Sequence, residues 1–144
     1  MIALIGGVFA EYPGVLFLVD EELPELRHIA SWATEYEGEF WVAEREGRIV
    51  GTCGYTRAHD PAGFELKKLY VHAGEREFGL GSIFASRAET RARERGASFL
   101  DLWSDTRFTT AHRFYEKRGY VRGATRDLGD KSNTVEFYFR KELG

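Results

Sequence analysis

The sequence predicts a mixed α/β fold: helices flanking a mixed, mostly antiparallel sheet of six or seven strands. Three observations carry this. Residues 64–95 read as a strand, a glycine-rich turn and an amphipathic helix. Glu46-Gly47 separates two apolar runs and reads as a hairpin turn. Near the end of the chain, Val135, Phe137 and Phe139 alternate with Glu136, Tyr138 and Arg140, the period of a half-buried strand. A length of 144 residues suits one domain, residues 1–144, around one core.

In chain order, Leu4, Ile5, Val8 and Phe9 predict a first helix over residues 1–12, stopped at Pro13-Gly14. Residues 15–19 are a short apolar run, read as a first strand. Leu23, Leu26, Ile29 or Ala30, and Ala33 share one face of a second helix over residues 22–35. Asp20, Glu21 and Glu22 suit its N-terminal dipole. Residues 40–45 and 48–55 form the hairpin. Residues 59–63 turn into the central strand, 64–71. There Phe64 and Leu66 lie on one parity, and Leu69 and Val71 on the other. Either a β-bulge at Lys67-Lys68 restores one apolar face, or the strand is buried on both faces. The next helix, residues 81–95, is expected to bury Leu80, Ile83, Phe84, Ala88 and Ala92. Its face of Arg87, Glu89, Arg91, Arg93, Glu94 and Arg95 reads as solvated, and Gly96 closes it. Residues 98–103 form a strand parallel to the central one through a right-handed crossover. Thr109 or Thr106 caps a helix over Ala111, Phe114 and Tyr115 that ends at Gly119. Residues 120–128 and 134–143 complete the sheet.

The net charge of −3 and pI near 5.8 argue against nucleic acid or an anionic membrane as partner. No apolar run approaches a membrane span, and no signal peptide opens the chain. The lone cysteine, Cys53, fits a reducing cytoplasm and reads as a small core residue. Four histidines and one cysteine lack metal-ligand spacing, so no metal is expected.

The turn Arg76-Glu77-Phe78-Gly79-Leu80-Gly81 carries the chemistry. The first amides of a helix have no intrahelical acceptor and sit at the positive end of its dipole. Glycines let a ligand approach that backbone, so a phosphate or pyrophosphate is the natural guest. Arg76 could add a fork of donors. The same residues also make a plain strand-to-helix connection. The spacing fits neither G-x-x-x-x-G-K-[ST] nor G-x-G-x-x-G. It does match R/Q-x-x-G-x-G/A, and the chain resembles the GNAT N-acetyltransferase superfamily. A second segment, residues 111–120 (Ala-His-Arg-Phe-Tyr-Glu-Lys-Arg-Gly-Tyr), resembles that family's A-x-x-x-Y-E-K-x-G-F/Y motif.

The resemblance covers most of the chain, with specific motifs between residues 66 and 120. It implies acetyl-coenzyme A as acetyl donor, its pyrophosphate held by the turn from Arg76, Glu77, Phe78, Gly79, Leu80 and Gly81 to Ser82. It implies a bulged strand splayed from its parallel neighbour, with backbone N–H groups around Leu69, Tyr70 and Val71 meeting the thioester carbonyl. Tyr115 falls on the family tyrosine that acts as general acid toward the departing thiolate; as a residue alone it also reads as packing. Many members carry Asn seven residues earlier; Phe108 stands there, so that contact is not carried over. His112 reads as a surface or packing residue.

The reaction expected is direct attack by a primary amine in a ternary complex. An amine of pKa about 10.4 is well under 1% neutral at pH 7, a cost of about 4–5 kcal/mol. A base is therefore expected, and Glu65, near the start of the bulged strand, is the best candidate. The acceptor class stays open between a small amine, an amino acid, an antibiotic and a peptide amine. Its pocket is expected between the first two helices and the last hairpin. The resemblance admits a homodimer. A non-catalytic acyl-coenzyme A binding module and a general nucleotide-binding protein are the alternatives.

Overall fold

In a computed structural model, which describes residues 1–144 apart from the side chain of Glu77, the strands are β1 (Glu39–Arg45), β2 (Arg48–Arg57), β3 (Gly63–Val71), β4 (Phe99–Asp105), β5 (Val121–Asp127) and β6 (Val135–Glu142). They form one sheet in the order β1-β2-β3-β4-β6-β5. The helices are α1 (Ile2–Phe9), α2 (Val19–Glu22), α3 (Ile29–Glu35), α4 (Leu80–Glu94) and α5 (Thr109–Lys117). Every pairing is antiparallel except that of β3 with β4. The β1–β2 turn has positive φ at both Glu46 (53°) and Gly47 (75°), the twist that suits a two-residue hairpin.

One apolar cluster fills the space between the sheet and α4. Tyr55, Phe64, Leu100, Leu102 and Phe139 meet Phe84, Ala88 and Ala92, all buried. That layer fixes α4 chiefly across β3 and β2, with its first turn against Gly51 of β2.

The bulge is present. Thr52 pairs with Tyr70 and Gly54 with Lys67, so Cys53 alone opposes Lys68 and Leu69. Lys68 takes a left-handed conformation, φ 55°, which costs a non-glycine residue about 1–2 kcal/mol. Two contacts hold it there. Thr52 Oγ1 donates to the Lys68 carbonyl at 2.7 Å, and Lys68 Nζ pairs with Glu25 at 2.7 Å. β3 leaves β4 just ahead of the bulge: the parallel ladder holds only Gly63 with Phe99, Phe64 with Leu100 and Glu65 with Asp101.

Four expectations are corrected. Residues 15–19 form no strand; the Leu16 amide instead donates to Ser132 Oγ at 2.8 Å, and the chain runs on into α2. The single helix over 22–35 is broken into α2, a 3-10 turn (Pro24–Arg27) and α3, because Pro24 lacks an amide proton and disfavours helical backbone at Leu23. On α4 the buried face is Phe84, Ala85, Ala88, Glu89 and Ala92; Ile83 is 63% exposed. Thr109 and Thr106 do not cap α5, whose N-cap is Phe108 with no side-chain cap bond.

The face of α4 expected to be solvated is exposed at Arg87, Arg93, Glu94 and Arg95 but buried at Glu89, and several of its residues also clamp the fold. Arg91 pairs with Glu39 (2.8 Å), and Arg95 donates to the Glu37 carbonyl (2.6 Å). Glu89 is 4% exposed and accepts from Arg118 (2.9 Å), Tyr120 (2.8 Å) and Lys141 (3.2 Å). It thereby ties α4 to the end of α5 and to β6. Burial pushes its carboxyl upward, but Arg118, Tyr120 and Lys141 outweigh this and hold it below the usual range. A depressed carboxyl contributes stability above its unfolded value, about 4.3, that is lost as pH falls through the folded value. Glu89→Ala is expected to cost about 2–3 kcal/mol at pH 7 by stranding two cations. The deficit should shrink in acid, as read by denaturant melts at pH 7 and pH 3.5.

Candidate active site

The start of α4 is an amide cradle. Gly79 sits at the N-cap with φ 73°, and no side chain caps the helix. The amides of Leu80 and Ser82 have no acceptor among the described residues. A Cβ on Gly79 would meet no atom within 4 Å, so the glycine answers a backbone need and leaves space in front of the turn. Gly81 lies 3.6 Å from the Phe114 ring by the same measure, in ordinary contact.

From that turn a cleft of about 560 Å³ runs through the β3–β4 gap to the far side of the sheet. Leu69, Tyr70, Val71, Arg76, Gly79, Gly81 and Ser82 line it, as do Glu65 and Tyr115. Phe78 and Leu80 do not. Phe78 is 68% exposed, beneath the Arg45 guanidinium, and Leu80 reaches toward Gly51. Only their backbones can serve a ligand. The expected role of the Glu77 side chain lies outside the described residues.

Arg76 is placed differently from the expectation. Its guanidinium fork is bound to Glu11 through two bonds of 2.7 and 2.8 Å, and its Nε donates to the Val71 carbonyl at 3.0 Å. It ties the segment after α1 to the end of β3, and its donors are not free beside the amides. Sequence reading could not have paired residues 65 positions apart.

Tyr115 is buried in α5 among Phe114, Tyr120 and Phe139, with ring centroids 5.4–5.7 Å away. Its hydroxyl has no hydrogen-bond partner among the described residues. Burial pushes its phenol up, so it holds its proton at neutral pH. His112 fixes the helix. Its Nε2 lies 2.9 Å from the Asp105 carbonyl and 3.2 Å from Ser104 Oγ, with the ring against Phe137. Burial lowers its pKa, and it is a packing residue. Phe108 packs at a tilt against Tyr12, ring centroids 4.7 Å apart, and walls the cleft. Cys53 is fully buried, and burial pushes its thiol far up; it is inert core.

At the far end Glu65 is paired with Lys67 at 2.9 Å, and Arg126 stacks on Trp103 at 4.1 Å while pairing with Glu136. Leu16 and Leu23 also line the cleft, as do Leu128 and Asp130. Sequence reading missed Asp101, the register neighbour of Glu65, because it was counted only as part of a strand. Among the described residues no group of three or more His, Cys, Asp or Glu could hold a metal ion, and no helix is long and apolar enough to cross a membrane.

Comparison with known proteins agrees with this geometry. An acetyltransferase of the GNAT family from Staphylococcus aureus Mu50 superposes with a TM-score of 0.81 at 21% identity, over 99% of this chain and 91% of that one. Ribosomal-protein-alanine N-acetyltransferase from Brucella melitensis gives 0.76 at 18% identity, over 98% and 91%. Aminoglycoside 6'-N-acetyltransferase complexed with coenzyme A gives 0.70 at 18%, over 99% and 88%. No curated relative matches the chain in sequence. The sequence model described as "Acetyltransferase (GNAT) family" matches residues 9–120, in keeping with the splayed parallel pair and the amide cradle, and this chain belongs to the GNAT acetyltransferase family.

Proposed function

We propose that the protein transfers an acetyl group from acetyl-coenzyme A to a primary amine by direct attack in a ternary complex. One observation carries the reading: a single continuous cleft joins the unpaired amides of α4, the β3–β4 gap, the Tyr115 hydroxyl and a carboxylate-bearing far end. The one structure named above as complexed with coenzyme A supports the donor.

In this reading the diphosphate sits on the turn from Gly79 to Ser82, where the helix dipole and the free N–H groups of Leu80 and Ser82 favour an anion. The backbone of Leu69, Tyr70 and Val71, freed from the β4 ladder, offers donors to the thioester oxygen as charge develops. Tyr115 donates to the departing thiolate. Burial raises the proton affinity of both groups in the same apolar slot, so the transfer is better matched than their values in water suggest. Glu65 is one of the carboxylates on the cleft wall, and in this reading it receives the acceptor's ammonium. A cytoplasmic setting fits the lone, buried Cys53.

The central test is release of free coenzyme A against a panel of amines. Titration calorimetry belongs beside it: ATP or NAD binding as tightly as acetyl-coenzyme A contradicts the assignment. Gly79→Val sets a branched side chain at φ 73° in front of the cradle. The dissociation constant for acetyl-coenzyme A is expected to rise at least about tenfold, the equivalent of one lost hydrogen bond or more. Tyr115→Phe is expected to lower kcat at least about tenfold with that constant nearly unchanged. Unchanged turnover in Tyr115→Phe would remove the tyrosine from its role and favour a binding module.

A further inference from the structure

Glu65 does not stand alone. It lies beside Asp101 in the last register of the β3–β4 ladder, at the point where the strands part. Asp101 is 8% exposed. Its Oδ2 accepts from the Tyr138 hydroxyl at 2.7 Å, while its Oδ1 is buried with no partner among the described residues. The charged and titratable groups facing it are Glu65 and Lys67 from β3, and Tyr138 and Arg140 from β6. Neither cation bonds it: Lys67 Nζ is on Glu65 at 2.9 Å, and Arg140 Nε is on Glu142 at 2.7 Å. A buried carboxylate oxygen without a donor is rare in folded proteins and calls for a reason.

We propose that Glu65 and Asp101 form a two-carboxylate proton-accepting site, in which Glu65 takes the proton from the acceptor ammonium and passes it to Oδ1 of Asp101. The inference rests on the acetyl-transfer reading. An N–H bond of the ammonium breaks and an O–H forms on Glu65; that O–H then breaks as one forms on Asp101. The freed nitrogen pair attacks the thioester carbon, the C–S bond breaks, and the sulfur takes the Tyr115 proton. The second proton shed by nitrogen restores Tyr115. Each turnover thus leaves one proton on Asp101, returned through Glu65 to water, and one on coenzyme A.

The environment suits storage. Burial pushes Asp101 up to about 6; the Tyr138 hydrogen bond pulls it down, and the neighbouring Glu65 charge pushes it up further. A group at about 6 is roughly 10% protonated at pH 7, against about 0.1% for an ordinary aspartate near 3.9. It is still mostly ionised and ready to accept. A base works best when its pKa lies near the operating pH.

The test uses the full chain with a turned-over amine, over pH 5 to 9. The wild type is expected to show an acid limb in kcat/KM near pH 6. Asp101→Asn should lose that limb and fall at least about tenfold at pH 7.5, with affinity for acetyl-coenzyme A unchanged. Tyr138→Phe, which removes the bond that lowers Asp101, should move the limb upward. A structural role would not move it. Thermal melts give a readout independent of turnover. A carboxyl raised on folding contributes stability below its unfolded value that is lost as pH climbs through the folded one. The melting temperature of Asp101→Asn should therefore gain on the wild type between pH 4 and pH 7. An unmoved limb in both variants, or a melting difference flat with pH, overturns the assignment of Asp101. A wild type that acetylates no amine overturns the acetyl-transfer reading itself, and this role with it.

Discussion

The structure depends on one interruption: β3 and β4 pair over three residues and then separate. Two parallel strands with apolar faces would ordinarily continue their ladder. Here the extra residue at Lys68 turns β3 aside, and Lys68 is held in its left-handed conformation from both ends, by Thr52 on its carbonyl and by Glu25 on its ammonium. The second tether comes from the 3-10 turn that Pro24 starts, so the irregular N-terminal segment helps keep the gap open. An edge of β3 is left inside the molecule without a strand partner. Unmet backbone donors there cost about 1–3 kcal/mol each, which an extended ligand carrying its own amides can relieve as an added strand does.

Much of this was legible in the residues, because the features that build the cleft are local. The parity break at Lys67-Lys68 announces a bulge, and Gly79 and Gly81 mark a helix start that must be approached closely. What was not legible depended on distant partners. Glu89 looked like one charge among several on a polar helix face. Only Arg118, Tyr120 and Lys141, contributed by α5 and β6, make its burial tolerable. Ile83 was assigned inward because periodicity alone does not fix helix phase to within one residue. The run at residues 15–19 has strand-like composition, but a serine from the last loop takes the Leu16 amide.

Arg76 shows how the same limit reaches the candidate site. A motif gives the residue and its spacing, but not what already binds it. With its fork on Glu11, the guanidinium presents a nearly neutral ion pair to the turn. On the proposed reading, the charge that meets a diphosphate comes chiefly from amides and the α4 dipole, a field that needs no side-chain rearrangement. The chain's net charge of −3 sharpens the point. Long-range attraction contributes little to the binding of an anionic donor, so local geometry must supply the affinity.

Two features near the divergence work against stability: a lysine in a left-handed conformation and an aspartate buried with one bare oxygen. A sequence selected only to fold would carry glycine or asparagine at the first and an apolar residue at the second. Their clustering, one on each strand of the splayed pair, is what strain retained for use looks like. The two do different work. The lysine opens space for a ligand between strands, and the aspartate stands behind Glu65 at the last register of the parallel ladder. Relieving either would tighten the fold, but the cleft would then lose the shape or the proton acceptor on which the proposed transfer rests.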